Sequence, residues 1–142
     1  MNILKQYQNG DKTLKIFYDE YPESPRTWDN LGEMVTCHGN YKLGDKQFSS
    51  PEEIDNYMKE QGVFVKLPLY LLDHSGITIS TNSFNDLWDS GQVGYVFVSK
   101  AKAKTEKTTK KNAIQCMISE VNTYDQYLRG EVYGFQVVKN VH

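Results

Sequence analysis

Three short groups hold most of the reactive residue types in this chain: Cys37-His38, then Asp73-His74-Ser75-Gly76, then Trp88-Asp89-Ser90-Gly91-Gln92-Val93-Gly94. Asp, His and Ser are the members of a nucleophilic triad. In a triad, however, the acid orients a histidine that deprotonates the serine, and three consecutive residues cannot adopt that serial geometry. Any such role needs distant partners. Read for local structure, Asp73 to Gly76 is a turn, because Asp and Ser bond nearby backbone amides and Gly76 supplies permissive angles. Thiolate, imidazole and carboxylate also bind metals, so Cys37, His38, Asp73 and His74 become a ligand set if the strand carrying the first pair lies beside the strands carrying the second. Zinc motifs usually space paired ligands about two to four residues apart, whereas these pairs are adjacent. The chain has three histidines, one of them the terminal His142. The expectation is therefore no catalytic residue, no metal and no other cofactor. The alternative is a metal-dependent hydrolase acting on nucleotides or nucleic acid through His38, Asp73 and His74, with Cys37 as a further ligand.

Asn82, Asn85, Asp86 and Asp89 crowd oxygen donors into one stretch. They lack the alternating ligands and closing glutamate of an EF-hand, which leaves caps or Asx-turns as their use. Trp88 either covers the edge of the core or forms a partner-binding lip, and Gly91 and Gly94 permit a bulge or a close backbone approach. Lys100, Lys102, Lys104, Lys107, Lys110 and Lys111 share one segment with Glu106. Without those seven residues the net charge of −2 becomes −7, ten bases against seventeen acids, so the bulk of the chain is acidic. The segment has no arginine and no aromatic, so base reading and stacking have no support there. It reads as a solvated connection, with direct phosphate contact as the alternative. No phosphate loop or dinucleotide fingerprint occurs.

The elements that must position these groups follow from periodicity. Leu14, Ile16 and Tyr18 mark a first strand over Thr13 to Asp19, and Gly32 to His38 is a second, with Cys37 and His38 on opposite faces. Ser50-Pro51-Glu52-Glu53 starts a helix, with Ser50 as N-cap and Glu53 completing a capping box, and Gly62 ends it. Val63 to Leu72 and Ile77 to Thr81 form a hairpin, with Pro68 implying an edge, bulge or break. Val93 to Ser99 alternates, placing Val93, Tyr95 and Phe97 on one face and Gly94, Val96 and Val98 on the other. Ile114, Met117, Ile118, Val121, Tyr124 and Leu128 define a second helix from Thr109 to Gly130, and Glu131 to Val138 closes as a strand. The order predicts one α+β domain over residues 1–142, an antiparallel or mixed sheet of about five to six strands covered by two helices.

A length of 142 residues suits one core, and a 39% hydrophobic fraction argues against disorder. No apolar run reaches the roughly 20 residues that span a bilayer, and Met1 to Gly10 lacks the apolar centre of a signal peptide. The expectation is a cytoplasmic protein with no membrane partner and two thiols, Cys37 and Cys116.

The stretches Trp28-Asp29-Asn30-Leu31-Gly32-Glu33-Met34-Val35, Cys37-His38, Leu43-Gly44-Asp45, Asp73-His74-Ser75-Gly76-Ile77, Trp88 to Gly94 and Glu120 to Leu128 resemble a family of small proteins from bacteriophages, prophages and mobile elements. The resemblance covers nearly the whole chain. That family carries no assigned activity, and its members continue past the final strand into a segment with a Trp-Gly-Phe group. The resemblance implies a genetic setting in a bacterial host cell, in which small accessory proteins bind and block host or defence proteins. The expected function is accordingly protein–protein binding, in the manner of an anti-restriction or anti-CRISPR inhibitor of a nucleic-acid-targeting system. Trp88, Asp89, Tyr95, Tyr124, Tyr127 and Tyr133 are the candidate binding residues, and direct nucleic-acid contact through the lysines is a further candidate.

Overall fold

The strand with the most buried residues becomes the centre of the larger sheet. In a computed structural model, which describes residues 3–19, 21–86 and 88–139, β7 (Ser90–Ser99) pairs antiparallel with β5 (Val63–Asp73) on one side and β3 (Glu33–Thr36) on the other. β6 (Ile77–Ser80) adds to β5 as a hairpin, and β4 (Lys46–Gln47) runs parallel to β3. The result is a mixed five-stranded sheet in the order β4-β3-β7-β5-β6. The fold class is α+β, as the order of elements predicts.

Successive side chains of a strand point to opposite faces, and both faces of this sheet are covered. Val96 and Val98 join Met34, Leu69, Leu71 and Ile79 beneath α3 (Lys110–Leu128), which contributes Ala113, Met117, Val121 and Tyr124. Val35 and Phe97 turn the other way and meet Ile54 and Met58 of α1 (Pro51–Gln61). Ser50 caps α1 by accepting from the Glu53 N–H, and Gly62 closes it at φ +76°. The Glu53 carboxylate bonds the Ser49 N–H at 2.9 Å, one residue before the position a capping box assigns.

Two bulges correct the simple alternation. Leu69 pairs with Gly94 and Tyr70 with Gln92, so Val93 has no partner on β5, and this extra residue turns Val93 into the same cluster as Val96 and Val98. Phe64 does the same for β5, between Val63 under α1 and Val65 under α3. Pro68 lies before the β6 pairing begins at Tyr70, on a stretch of β5 that is still an edge, where a missing N–H costs no ladder bond. At Gly94 a Cβ would sit 1.9 Å from the Val35 carbonyl oxygen, so the β3–β7 contact requires glycine.

Within the lysine segment, Lys100, Lys102 and Lys104 lie on α2 (Lys100–Glu106), which is capped by Ser99 and ends at Lys107, whose φ is +52°, and Lys110 and Lys111 open α3. No helix among the described residues is long and apolar enough to cross a membrane.

The chain forms two compact units, Ser24–Arg129 and the remaining terminal segments. The terminal unit is a three-stranded antiparallel sheet in the order β1-β2-β8, formed by β1 (Ile3–Asn9), β2 (Lys12–Tyr18) and β8 (Tyr133–Lys139). The first and last predicted strands therefore belong to this sheet and not to the five-stranded one. β1, a polar stretch in sequence, is a strand whose residues are exposed throughout.

Candidate functional site

The groups singled out in sequence meet at one end of the five-stranded sheet. β3 stops at Thr36, the Cys37 N–H bonds the bulged Val93 carbonyl at 2.7 Å, and beyond that point β7 is paired by β5 alone. The gap left beside Ser90 to Gln92 is an open cleft of about 370 Å³ whose walls include Cys37, His38, Asp73, Trp88 and Asp89. A smaller hollow of about 180 Å³ continues past Cys37, Gln92 and Val93 to Tyr95. Trp88 and Asp89 line the first and Tyr95 the second, and the two hollows share Cys37, Gln92 and Val93.

Its walls are set by short-range bonds. The Asp86 carboxylate accepts from the Trp88 N–H at 2.8 Å and the Asp89 N–H at 2.9 Å, an Asx-turn that fixes the loop, and the Ser90 hydroxyl donates to the Asp86 carbonyl. Those two amides, Asp89 first, hold the Asp86 carboxyl below its ordinary pKa. The turn leaves Trp88 94% exposed, so it does not cover the edge of the core. Opposite, His38 Nδ1 accepts from the Asn40 and Tyr41 amides at 3.0 and 3.2 Å, which leaves its proton on Nε2. The His38 ring packs on Tyr41, 5.1 Å between centroids. The Tyr41 hydroxyl donates to Asp73 at 3.1 Å, and that bond raises the phenol's pKa. His74 stands in the turn, Nδ1 at 3.0 Å from Asp89, with Ser75 and Gly76 both at positive φ.

Cys37, His38 and Asp73 share the cleft, while His74 is tied outward to Asp89. Among the described residues, no three Cys, His, Asp or Glu side chains lie close enough to hold one metal ion. Three of the four residues of the hydrolase reading therefore border one opening, His74 lies outside it, and the four form no ligand set. The charged residues of the cleft wall are Asp73 and Asp89, so the cleft is electronegative.

The remaining candidates lie elsewhere. Tyr124 is 4% exposed and its hydroxyl accepts from the Gly44 N–H at 3.0 Å, so it belongs to the core and not to a binding surface. Tyr127 is half-buried and stacks on Tyr124. Tyr133 is in the terminal sheet, stacked on Tyr18 at 5.2 Å. The Tyr95 ring carries Lys66 Nζ 4.7 Å from its centroid.

Sequence reasoning passed over the charges that build the frame behind the groove. Arg26, its side chain 5% exposed, grips Asp45 through Nε at 3.0 Å and Nη2 at 2.5 Å, and Nη2 also donates to the Gly32 carbonyl at 2.7 Å. Asp45 accepts from the Met34 N–H at 2.8 Å, and Glu120 of α3 accepts from the Leu31 and Gly32 amides at 2.7 and 2.9 Å. The network fixes the loop before β3, and through β3 the Cys37–His38 wall.

No protein-family model, curated protein or solved structure matches this chain.

Proposed function

We propose that this chain acts by binding a protein partner at the groove between Trp88 and Tyr95, as a phage or mobile-element accessory protein that blocks a host or defence protein. The observation that carries the reading is Trp88, held outward by an Asx-turn at 94% exposure. A tryptophan on a pre-ordered loop contributes a large apolar area with little further entropy lost on docking, which is the character of an interface anchor. Asp73 and Asp89 beside it favour a basic counter-surface. Basic clefts are typical of proteins that handle nucleic acid, so an anti-restriction or anti-CRISPR role agrees with the charge of the groove as well as with the resemblance.

The test is interference by restriction and CRISPR systems in a bacterial host, measured as efficiency of plating with and without this chain. Wild-type expression is expected to relieve interference by one such system. Trp88→Ala is expected to restore it while the protein keeps its melting temperature, and binding to the purified effector is expected to weaken by at least tenfold, about 1.4 kcal/mol. Relief that Trp88→Ala leaves intact would remove the groove from the mechanism. Full interference across the panel in the presence of wild-type chain would remove the inhibitor reading itself.

A further inference from the structure

We propose that one face of the three-stranded sheet is a stacking platform for single-stranded nucleic acid. Opposed residues of an antiparallel pair share a face, so the registers define it: Tyr7 opposite Leu14 and Val137, Tyr18 opposite Tyr133, and Lys12 opposite Lys139, with Lys5 opposite Ile16. Four of these side chains are far more open than sheet aromatics and aliphatics normally are, with Tyr7 at 53%, Tyr18 at 46%, Tyr133 at 54% and Val137 at 59% exposure. Lys5, Lys12 and Lys139 are exposed as well, and no strand position on this face holds an Asp or Glu. Asp11, in the β1–β2 turn, reaches Lys139 at 3.9 Å.

Exposed apolar area bordered by three lysines, one of them within reach of Asp11, selects among occupants. A second copy of the same face would bring lysine against lysine, and an aliphatic peptide would leave the ammonium groups unmatched. A single strand of nucleic acid supplies both complements: bases stack on aromatic rings, and phosphates meet the lysines. A duplex offers its phosphates but keeps its bases stacked inside, so it would engage the lysines alone. The opposite face carries Gln6, Gln8 and Gln136 with a buried Thr13, and its Lys15 and Phe17 are only half-exposed, so it offers no open ring. The lysines of α2 and α3 are the reverse case, charge without a row of exposed rings, since Phe64 beneath Lys110 is half-buried.

Fluorescence anisotropy of labelled oligodeoxythymidine and oligouridine of about 12 nucleotides, within the usual site size of small β-domains, tests the proposal on the full chain. Both strands are expected to bind more tightly than a duplex of equal length. Tyr18→Ala and Tyr133→Ala are each expected to weaken binding about 5- to 150-fold, the effect of losing one stacked base. Tyr18→Phe and Tyr133→Phe keep the ring and are expected to bind as wild type. The three lysines predict a log–log salt slope near −2, at about −0.7 for each neutralised phosphate. Absence of binding at about 100 μM and low salt, weaker than ordinary non-specific association, overturns the proposal. So does binding that is abolished by Lys104→Gln with Lys107→Gln and Lys111→Gln yet indifferent to the tyrosines. A dimer in sedimentation equilibrium that Tyr133→Ala dissociates, with no oligonucleotide bound, would assign the face to a second copy instead.

Discussion

Tyr124 and Tyr133 lie close in sequence and serve opposite ends. Tyr124 is 4% exposed against the five-stranded sheet and spends its hydroxyl on Gly44, whereas Tyr133 is 54% exposed on the three-stranded sheet, its ring stacked on Tyr18. The same contrast runs through the valines, with Val96 at 0% and Val137 at 59%. A sheet with helices on both faces needs its strands as core, and what it leaves for binding is the gap where β3 ends. A sheet with an exposed face needs few of its side chains for packing, and whole rows become available to a ligand. Residue type is a poor guide to role here; the layer above the residue decides it.

The sharpest way to break this comparison is Gly94→Ala. Its Cβ would fall 1.9 Å from the Val35 carbonyl oxygen and 2.9 Å from the Thr36 Cα, both backbone atoms of the central ladder that cannot swing away. The expected loss is about 3 kcal/mol or more in urea unfolding, among the largest single-residue effects. Gly91→Ala, where nothing lies within 4 Å, is the control and is expected to change stability by less than about 0.5 kcal/mol.

Next in size is Glu120→Ala. Its carboxylate is the acceptor for the half-buried amides of Leu31 and Gly32, so truncation leaves two donors without a partner and is expected to cost about 2–4 kcal/mol. The amide proton resonances of Leu31 and Gly32 should shift most. Glu120→Gln keeps one acceptor oxygen and should lose less.

These two sites also divide what the sequence makes legible from what it does not. The limits of α1 could be read because Ser50, Pro51 and Gly62 act within their own turns, and α3 because Met117, Val121 and Tyr124 repeat on one stripe. The residues of the cleft could be listed, though not their arrangement. Val93 was misplaced by alternation because a bulge depends on the partner strand, which has no local signature. β1 escapes the pattern because neither of its faces is buried, so no period of two emerges. Arg26, Asp45 and Glu120 look like ordinary surface charges, since their bonds join segments 19 and 88 residues apart.

Tyr124→Phe tests the buried tyrosine on a smaller scale. It removes the oxygen that accepts from the Gly44 N–H and is expected to cost about 1 kcal/mol at neutral pH. Burial is the main cause that pushes the Tyr124 phenol above its ordinary value. A group whose folded pKa is raised contributes stability that is whole below the unfolded value, about 10 for tyrosine, and is lost as pH rises through the folded one. The wild type should therefore lose stability above about pH 10 more steeply than Tyr124→Phe, and the gap between the two should narrow there. Parallel curves would show that the hydroxyl is solvated and that Tyr124 is no more committed to the core than Tyr133.

The smallest effects make the finest comparison, one substitution placed in each sheet. Val→Thr keeps the shape and replaces a methyl by a hydroxyl, so its cost reports desolvation of that hydroxyl. At Val96, fully buried beneath α3, about 1–3 kcal/mol is expected in urea unfolding, because the Met117 and Val98 neighbourhood is apolar. At Val137, 59% exposed beside Tyr7 and Leu14 in register, the hydroxyl keeps its water and the change should stay within about 0.5 kcal/mol. A loss at Val137 approaching that at Val96 would mean that the open face is covered in solution, by a second copy or by a longer chain. The rows of Tyr7 and Tyr18 would then be packing surface, and the two sheets would use their side chains alike.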